Sequence, residues 1–292
     1  MAKTREIRTR IKSVRNTHKI TKTMDMVARS KSARLLLRVN RTVPYFQKLC
    51  RLIHDLAESG GAMLHGLFAE RKEIKKVMVF AVTSNRGLCG AYNARVVDAT
   101  KKRMAELRAE GKEPILYVLG KRGNTAFRFI GMVPAMAFLT VDEKVTFDDS
   151  ERISRALMNA YLDHDVDMVE IIYTHFEGRS RQMVRRDILL PVQKDSLDTG
   201  EHDHGKKPDY IIEPSVEKVL ESVVALMFKT YFYKILLESF ISEQLMRGIA
   251  MKNATDSAEE MIKVLSMKYN RARQSQITGE ILEILGGSEG LK

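Results

Sequence analysis

Two stretches, one at each end of the chain, repeat their apolar positions at helical spacing without a break. From Pro214 to Leu285 nothing interrupts a helix. Pro214 suits a first turn, where its missing N–H is not needed. No proline follows, and Gly286-Gly287 supplies a stop. Such a helix has roughly 70 residues and a length of ~105 Å, wider than a single-domain core, so it is expected to project. Its seam is expected at Met251, Ala254, Ala258, Met261, Leu265, Lys268, Ala272, Ser275, Gly279 and Leu282, in steps of three and four. Many of these are small, which lets a partner helix come close while burying little area. Lys252, Glu259, Glu260, Lys263, Asn270 and Arg273 fall on the opposite face. The competing reading is one long helix of an ordinary bundle.

The first stretch, residues 3 to 58, holds one proline, Pro44, and no glycine. Ile7, Ile11 and Val14 fall at helical spacing, continued by His18 and Thr21, then by Met24, Val27, Ala28 and Leu35. A second long helix is predicted, bent near Pro44. Its apolar strip is narrow, so it needs a partner along its length. The C-terminal helix is that partner if the middle of the chain folds at one end and the two helices run antiparallel.

The middle alternates strand-like and helix-like segments. Strands are predicted at Lys76–Thr83, Pro114–Leu119, Met132–Thr140, Asp167–His175 and Gln182–Leu190. Helices are predicted at Ala91–Glu110, Lys121–Ile130 and Asp148–His164, with Asp148 or Asp149 as a cap. That order implies a mostly parallel sheet. Gln193–Asp209 is polar and reads as an exposed loop. The fold class is therefore α/β: a long antiparallel coiled coil of the terminal helices with an inserted Rossmann-like domain. The boundaries are 1–58 for the first helix, 74–192 for the α/β domain, 193–213 for the loop and 214–286 for the last helix.

Charge changes this picture in one place. The 292 residues carry 49 Lys+Arg against 37 Asp+Glu, a net +12. Between Lys3 and Arg41 stand thirteen Lys and Arg but only Glu6 and Asp25. A basic helix fits nucleic acid or an acidic protein surface. No groove-reading module follows it. Cys50 and Cys89 are the only cysteines, which favours a reducing compartment. No run of 18 apolar residues exists, and the basic start lacks the apolar stretch of a secretory signal.

Candidate chemistry is sparse. Ser84-Asn85-Arg86-Gly87-Leu88-Cys89-Gly90 follows a strand and precedes a helix, where phosphate loops sit. It lacks the glycine spacing and the terminal Gly-Lys-Ser/Thr of a P-loop, and a tight strand-to-helix turn explains it equally. Cys89 near Arg86 is either a thiol activated at a helix start or a packed one. Glu201-His202-Asp203-His204 is a metal-ligand type cluster without a second ligand set, and a solvated tract accounts for it. Asp163, Asp165 and Asp167 need only a solvated turn. No catalytic constellation, cofactor site or metal site is expected.

Four segments then point to a family. Ile11–Lys31 (IKSVRNTHKITKTMDMVARSK), Ser84–Asn93 (SNRGLCGAYN), Ser242–Ile262 (SEQLMRGIAMKNATDSAEEMI) and Tyr269–Gly287 (YNRARQSQITGEILEILGG) closely resemble the gamma subunits of F-type ATP synthases. The likeness runs from end to end and is most specific in the two terminal motifs. It implies a non-catalytic rotor shaft, its coiled coil inside a ring of three alpha and three beta subunits. Its foot would lie beside the epsilon subunit and the membrane c ring. Rotation driven by proton or sodium flow would be coupled to ATP synthesis or hydrolysis in beta. The implied location is peripheral, on the cytoplasmic face of a bacterial plasma membrane.

Carried over by motif, the resemblance implies contacts to beta through Met24 and, nearby, Arg247. Arg86 and Cys89 would make a lower contact. Arg273, Gln274 and Thr278 would bond to beta high on the shaft. Ile281, Leu282 and Leu285 would sit in an apolar sleeve. Asp25 stands where the family usually has glutamate, and the cysteine-bearing insertion of chloroplast forms is missing. Two other classes remain open on the residues alone: a nucleic-acid-binding coiled coil, and a nucleotide-dependent enzyme using the α/β domain.

Overall fold

The computed structural model describes residues 2–58, 66–178, 181–193 and 212–289. The Glu201–His204 cluster and the side chains of Ile284 and Leu285 lie outside the described residues. The chain divides into two compact units, residues 1–29 with 247–292, and residues 30–246. Helices α1 (Ala2–Glu58) and α5 (Val216–Glu289) contribute to both.

The smaller unit is an antiparallel helix pair. Thr4 donates to Gln276 Oε1 at 2.9 Å, and Thr255 donates to Thr21 Oγ1 at 2.7 Å, so low numbers meet high ones. On α1 the residues turned inward are Thr4, Ile7, Ile11, Val14, His18, Thr21, Asp25 and Ala28, an unbroken three-four alternation. On α5 they are Met251, Thr255, Ala258, Ile262, Leu265, Tyr269, Ala272, Gln276 and Gly279. This corrects the expected seam. Met261, Lys268, Ser275 and Leu282 are exposed, and Ala254 is only half-buried beside Thr255. The two phases share every seventh residue and differ in which neighbour fills the intermediate step. Ile262 and Tyr269 bring more contact area than Lys268 or Ser275, so burial selects their phase. Near the unit's inner end Gly248 allows close approach: a Cβ there would stand 3.3 Å from Asp25 Oδ1.

The larger unit is built on one five-stranded sheet. Its strands are β1 (Lys76–Val82), β2 (Glu113–Leu119), β3 (Met136–Phe138), β4 (Met168–Phe176) and β5 (Gln182–Leu190). The order is β3-β2-β1-β4-β5, parallel except for the β4–β5 pair. This is the strand order of a Rossmann-type sheet. Helices α2 (Tyr92–Ala109), α3 (Lys121–Phe129) and α4 (Phe147–Leu162) complete it. β1 is apolar on both faces because both are covered. Val77, Val79 and Ala81 meet Val96, Leu107 and Phe127 of α2 and α3. Met78, Phe80 and Val82 meet Leu157 and Tyr161 of α4, Ile53 of α1 and Phe228 and Phe232 of α5. The inner halves of the two long helices thus form one layer of the α/β core, and their large side chains reflect it.

Boundaries differ from the sequence reading in three places. α5 begins at Val216 and passes through Gly286-Gly287 to Glu289; glycine weakens a helix by only about 1 kcal/mol and does not forbid it. β3 is three residues long, because the turn at Gly131, with φ +80°, and Pro134 occupy the start of the expected strand. α4 is capped by Thr146, not by Asp148 or Asp149. The Thr146 hydroxyl accepts from Asp149 N–H at 3.1 Å, and Asp149 accepts from Thr146 N–H at 3.1 Å. Those bonds to Thr146, joined by Arg152, hold the Asp149 carboxyl below its ordinary range. Thr146→Ala is expected to lower unfolding free energy by about 1 kcal/mol in urea titrations, with the slope unchanged.

Candidate partner interface

In the larger unit the turn after β1 is the feature richest in polar anchors. Ser84 N–H donates to Asn93 Oδ1 at 2.9 Å, and Ser84 Oγ donates to Arg86 O at 2.6 Å. Asn93 Nδ2 donates to Ser84 Oγ and to Cys89 Sγ. Asn85 Nδ2 donates to Val141 O at 2.8 Å. The turn sits at the carboxyl end of β1, where the strand order reverses and where open α/β sheets bind ligands. Here the neighbouring helix start is already occupied by protein. The first N–H groups of α3, from Lys121, Arg122 and Gly123, donate to Asn85 Oδ1, Ser84 O and Thr83 Oγ1 at 3.0, 3.0 and 3.1 Å. Gly120, at φ +102°, makes this possible; a Cβ there would stand 2.3 Å from Thr83 O. A phosphate would have to displace these bonds, so this helix start does not offer the anion site that motivated a nucleotide reading.

The same anchors decide what the turn presents. Cys89 is buried against Asn93 and Ser84, a packed thiol. Arg86 is exposed. Leu88 is 60% exposed and held at φ +64°, a left-handed conformation that costs a branched apolar residue energy. Sequence reasoning passed over Leu88. An apolar residue between Gly87 and Cys89, at the tip of a polar turn, was the available signal. Cys50, the other thiol, is buried in the core, and desolvation pushes it up to about 12, against a smaller opposing effect of Lys234.

In the helix pair, Met24 is half-buried and Arg247 is buried at the inner end. Towards the outer end of α5 the sequence candidates fall on one exposed face. Arg273, Ile277 and Ile281 stand at i, i+4 spacing, and Gln274, Thr278 and Leu282 form the adjacent row. Thr278 Oγ1 donates to Gln274 O at 2.9 Å, leaving the hydroxyl lone pairs outward. Ile281 and Leu282 are 52% and 62% exposed, away from the α1 seam. The side chain of Leu285 is not among those described. Ile20, Met26, Ile249 and Met267 add further exposed apolar positions outside the seam that the sequence reading did not single out. No group of three metal-ligand type residues occurs among the described residues, and no described helix is long and apolar enough to cross a membrane.

Comparison with known proteins agrees over the whole length. Residues 3–291 match the family described as ATP synthase. The ATP synthase gamma chain of Rhodopirellula baltica is 38% identical over 297 residues, covering 100% of both chains. The gamma chain of Leptospira biflexa is 37% identical over 292 residues, again covering 100% of both. Among solved structures, a chain of the Euglena gracilis mitochondrial ATP synthase (OSCP/F1/c-ring, rotational state 3) shares the fold. Its TM-score is 0.66 at 17% identity, covering 99% of this chain and 95% of that one. End-to-end identity to gamma chains, on a fold of paired terminal helices around a Rossmann-ordered sheet, makes this chain a member of the ATP synthase gamma chain family.

Proposed function

We propose that this chain is the central rotor shaft of an F-type ATP synthase and is itself non-catalytic. It transmits rotation of a membrane c ring to a ring of alpha and beta subunits, which carry out ATP synthesis or hydrolysis. The observation that carries this reading is the helix pair: a heptad seam of small residues inside and apolar residues outside. A helix pair that exposes Ile277, Ile281 and Leu282 expects further burial by other chains. An apolar lining has no directional bonds, so it supports a shaft without fixing its angle.

The contacts divide by chemistry. Met24 and Arg247 act at the inner end of the helix pair. Arg273, Gln274 and Thr278 supply polar contacts to beta, and Ile281, Leu282 and Leu285 form the bearing. The chain's 1–58 and 214–286 segments serve as shaft and the 74–192 segment as foot, near an epsilon subunit and the c ring. The protein lies peripherally at the cytoplasmic face of a bacterial plasma membrane. Affinity purification on this chain is expected to recover two other proteins of alpha and beta type together with ATPase activity. Recovery as a lone monomer contradicts the reading.

At the turn, Arg86 and Leu88 make the contact while Cys89 holds the turn from inside. Leu88→Gly separates the roles by sign. Glycine relieves the positive φ, so the isolated chain should become slightly more stable, by a few tenths to about 1 kcal/mol. ATP-driven coupling in the assembled complex should fall. Unchanged coupling shows that the turn tip touches nothing of consequence.

A further inference from the structure

The largest local concentration of exposed apolar side chains in the α/β unit lies away from the turn just described. Within eight consecutive residues, Phe129 is 91% exposed, Val133 69%, Ile130 43% and Met136 42%. They follow the end of α3 and lead into β3. That turn is ordered by its backbone: Ile130 N–H reaches Ala126 O at 3.2 Å, Met132 N–H reaches Phe127 O at 2.8 Å, and Ala135 N–H reaches Leu116 O at 2.8 Å. Phe129 is therefore presented on a firm frame. β3 pairs with β2 alone, at an edge of the sheet. A Cβ on Gly131 would meet nothing within 4 Å. Other exposed apolar residues of this unit, such as Leu37 and Met183, stand singly.

A phenylalanine left almost fully in water has no folding role to explain it, and three apolar neighbours make a patch. Size and charge narrow the occupant. Such a patch covers a few hundred Å2 at most, whereas a stable interface needs about 800 Å2 from each partner. A second copy could not be held here alone, and two chains of net +12 repel each other. The neighbouring α3 carries Lys121, Arg122 and Arg128 and no acid. The occupant is thus a chain secured elsewhere by other contacts, with an apolar surface bordered by carboxylates.

We infer that Phe129, Ile130, Val133 and Met136 form a secondary docking surface for another subunit of the same assembly, one whose apolar face is edged with acidic residues. This rests on the shaft reading above. A photo-crosslinking amino acid placed at position 129, with one at exposed Glu110 as the control, tests it in the purified complex. Position 129 should crosslink to one other subunit of the complex, identified by mass spectrometry, and position 110 should not. Phe129→Asp with Val133→Asp should reduce retention of that subunit about tenfold or more, since each apolar contact is worth about a tenfold change or better. Thermal unfolding of the free chain should be unchanged, because both side chains are exposed. An intact complex with no crosslink from position 129 overturns the inference and leaves the shaft reading standing. Crosslinks only between copies of this chain overturn it in favour of self-association. Failure to recover any complex overturns both.

Discussion

Replacing Arg103 with Met should lower the stability of the α/β unit by about 3–5 kcal/mol, because it strands a buried carboxylate. Glu170, in the middle of β4, is 2% exposed. Arg103 on α2 approaches it with two donors, Nε and Nη2, both at 2.8 Å from its carboxylate oxygens. The pair is bidentate, the strongest geometry available to Arg and carboxylate. Glu106 and Glu110 share the remaining Nη1 donor at 3.4 and 3.2 Å. The bonds to Glu170 raise the Arg103 pKa above its already high ordinary value, so the side chain stays charged. The double variant Arg103→Met with Glu170→Met should recover most of the loss, since well-packed apolar groups replace buried ion pairs at little cost. Chemical denaturation of the four proteins in the cycle measures this. A single Arg103→Met variant within 1 kcal/mol of the parent rules out a dominant role for the pair.

The second large effect lies at the outer end of α5. Ile281 and Leu282 leave 52% and 62% of their surface uncovered by α1. Covering that remainder is worth about half of a full burial, or roughly 1–2 kcal/mol per side chain. Converting both to Asp forfeits this and adds the cost of desolvating two carboxylates. Assembly of the shaft with its ring should weaken by about two orders of magnitude or more, with ATP hydrolysis freed from rotation in whatever assembles. The α/β unit should unfold at its usual temperature, because the substitutions lie in the other unit. Normal assembly with normal coupling shows that this end is not a bearing.

How far the chain could be read depended on how much a local pattern constrains. β1 was legible because a strand buried on both faces is a plain apolar run. β5 matched at both ends, bounded by polar residues on one side and Pro191 on the other. The helix seam was legible in period but not in phase. A spacing of three and four is the same for Met261 as for Ile262, and only the partner helix decides between them. The cap of α4 was missed because two acids drew attention from Thr146, although the Thr-x-x-Asp spacing was present. β3 was overlong because Met132 and Val133 are apolar, while the turn at Gly131 takes them out of the sheet. Of the turn's contact residues, Arg86 was visible as a charge in a glycine-bearing loop. The exchange of roles between Leu88 and Cys89 was not, since it depends on the bonds Asn93 makes across nine residues to Ser84. Phe129 gave no sign because its helix continues one face of apolar residues that the sheet covers only up to Phe127.

The central claim is rotation, and a single probe measures it. Cys50 and Cys89 are both buried, so a cysteine replacing exposed Asp163 gives one reactive thiol for a bead or fluorescent rod. The complex would be fixed to a surface through its ring subunits and supplied with ATP. The shaft reading predicts that the probe turns in one direction, in discrete steps, and stops when ATP is removed. ATP hydrolysis at the normal rate beside a stationary or randomly fluctuating probe would contradict it.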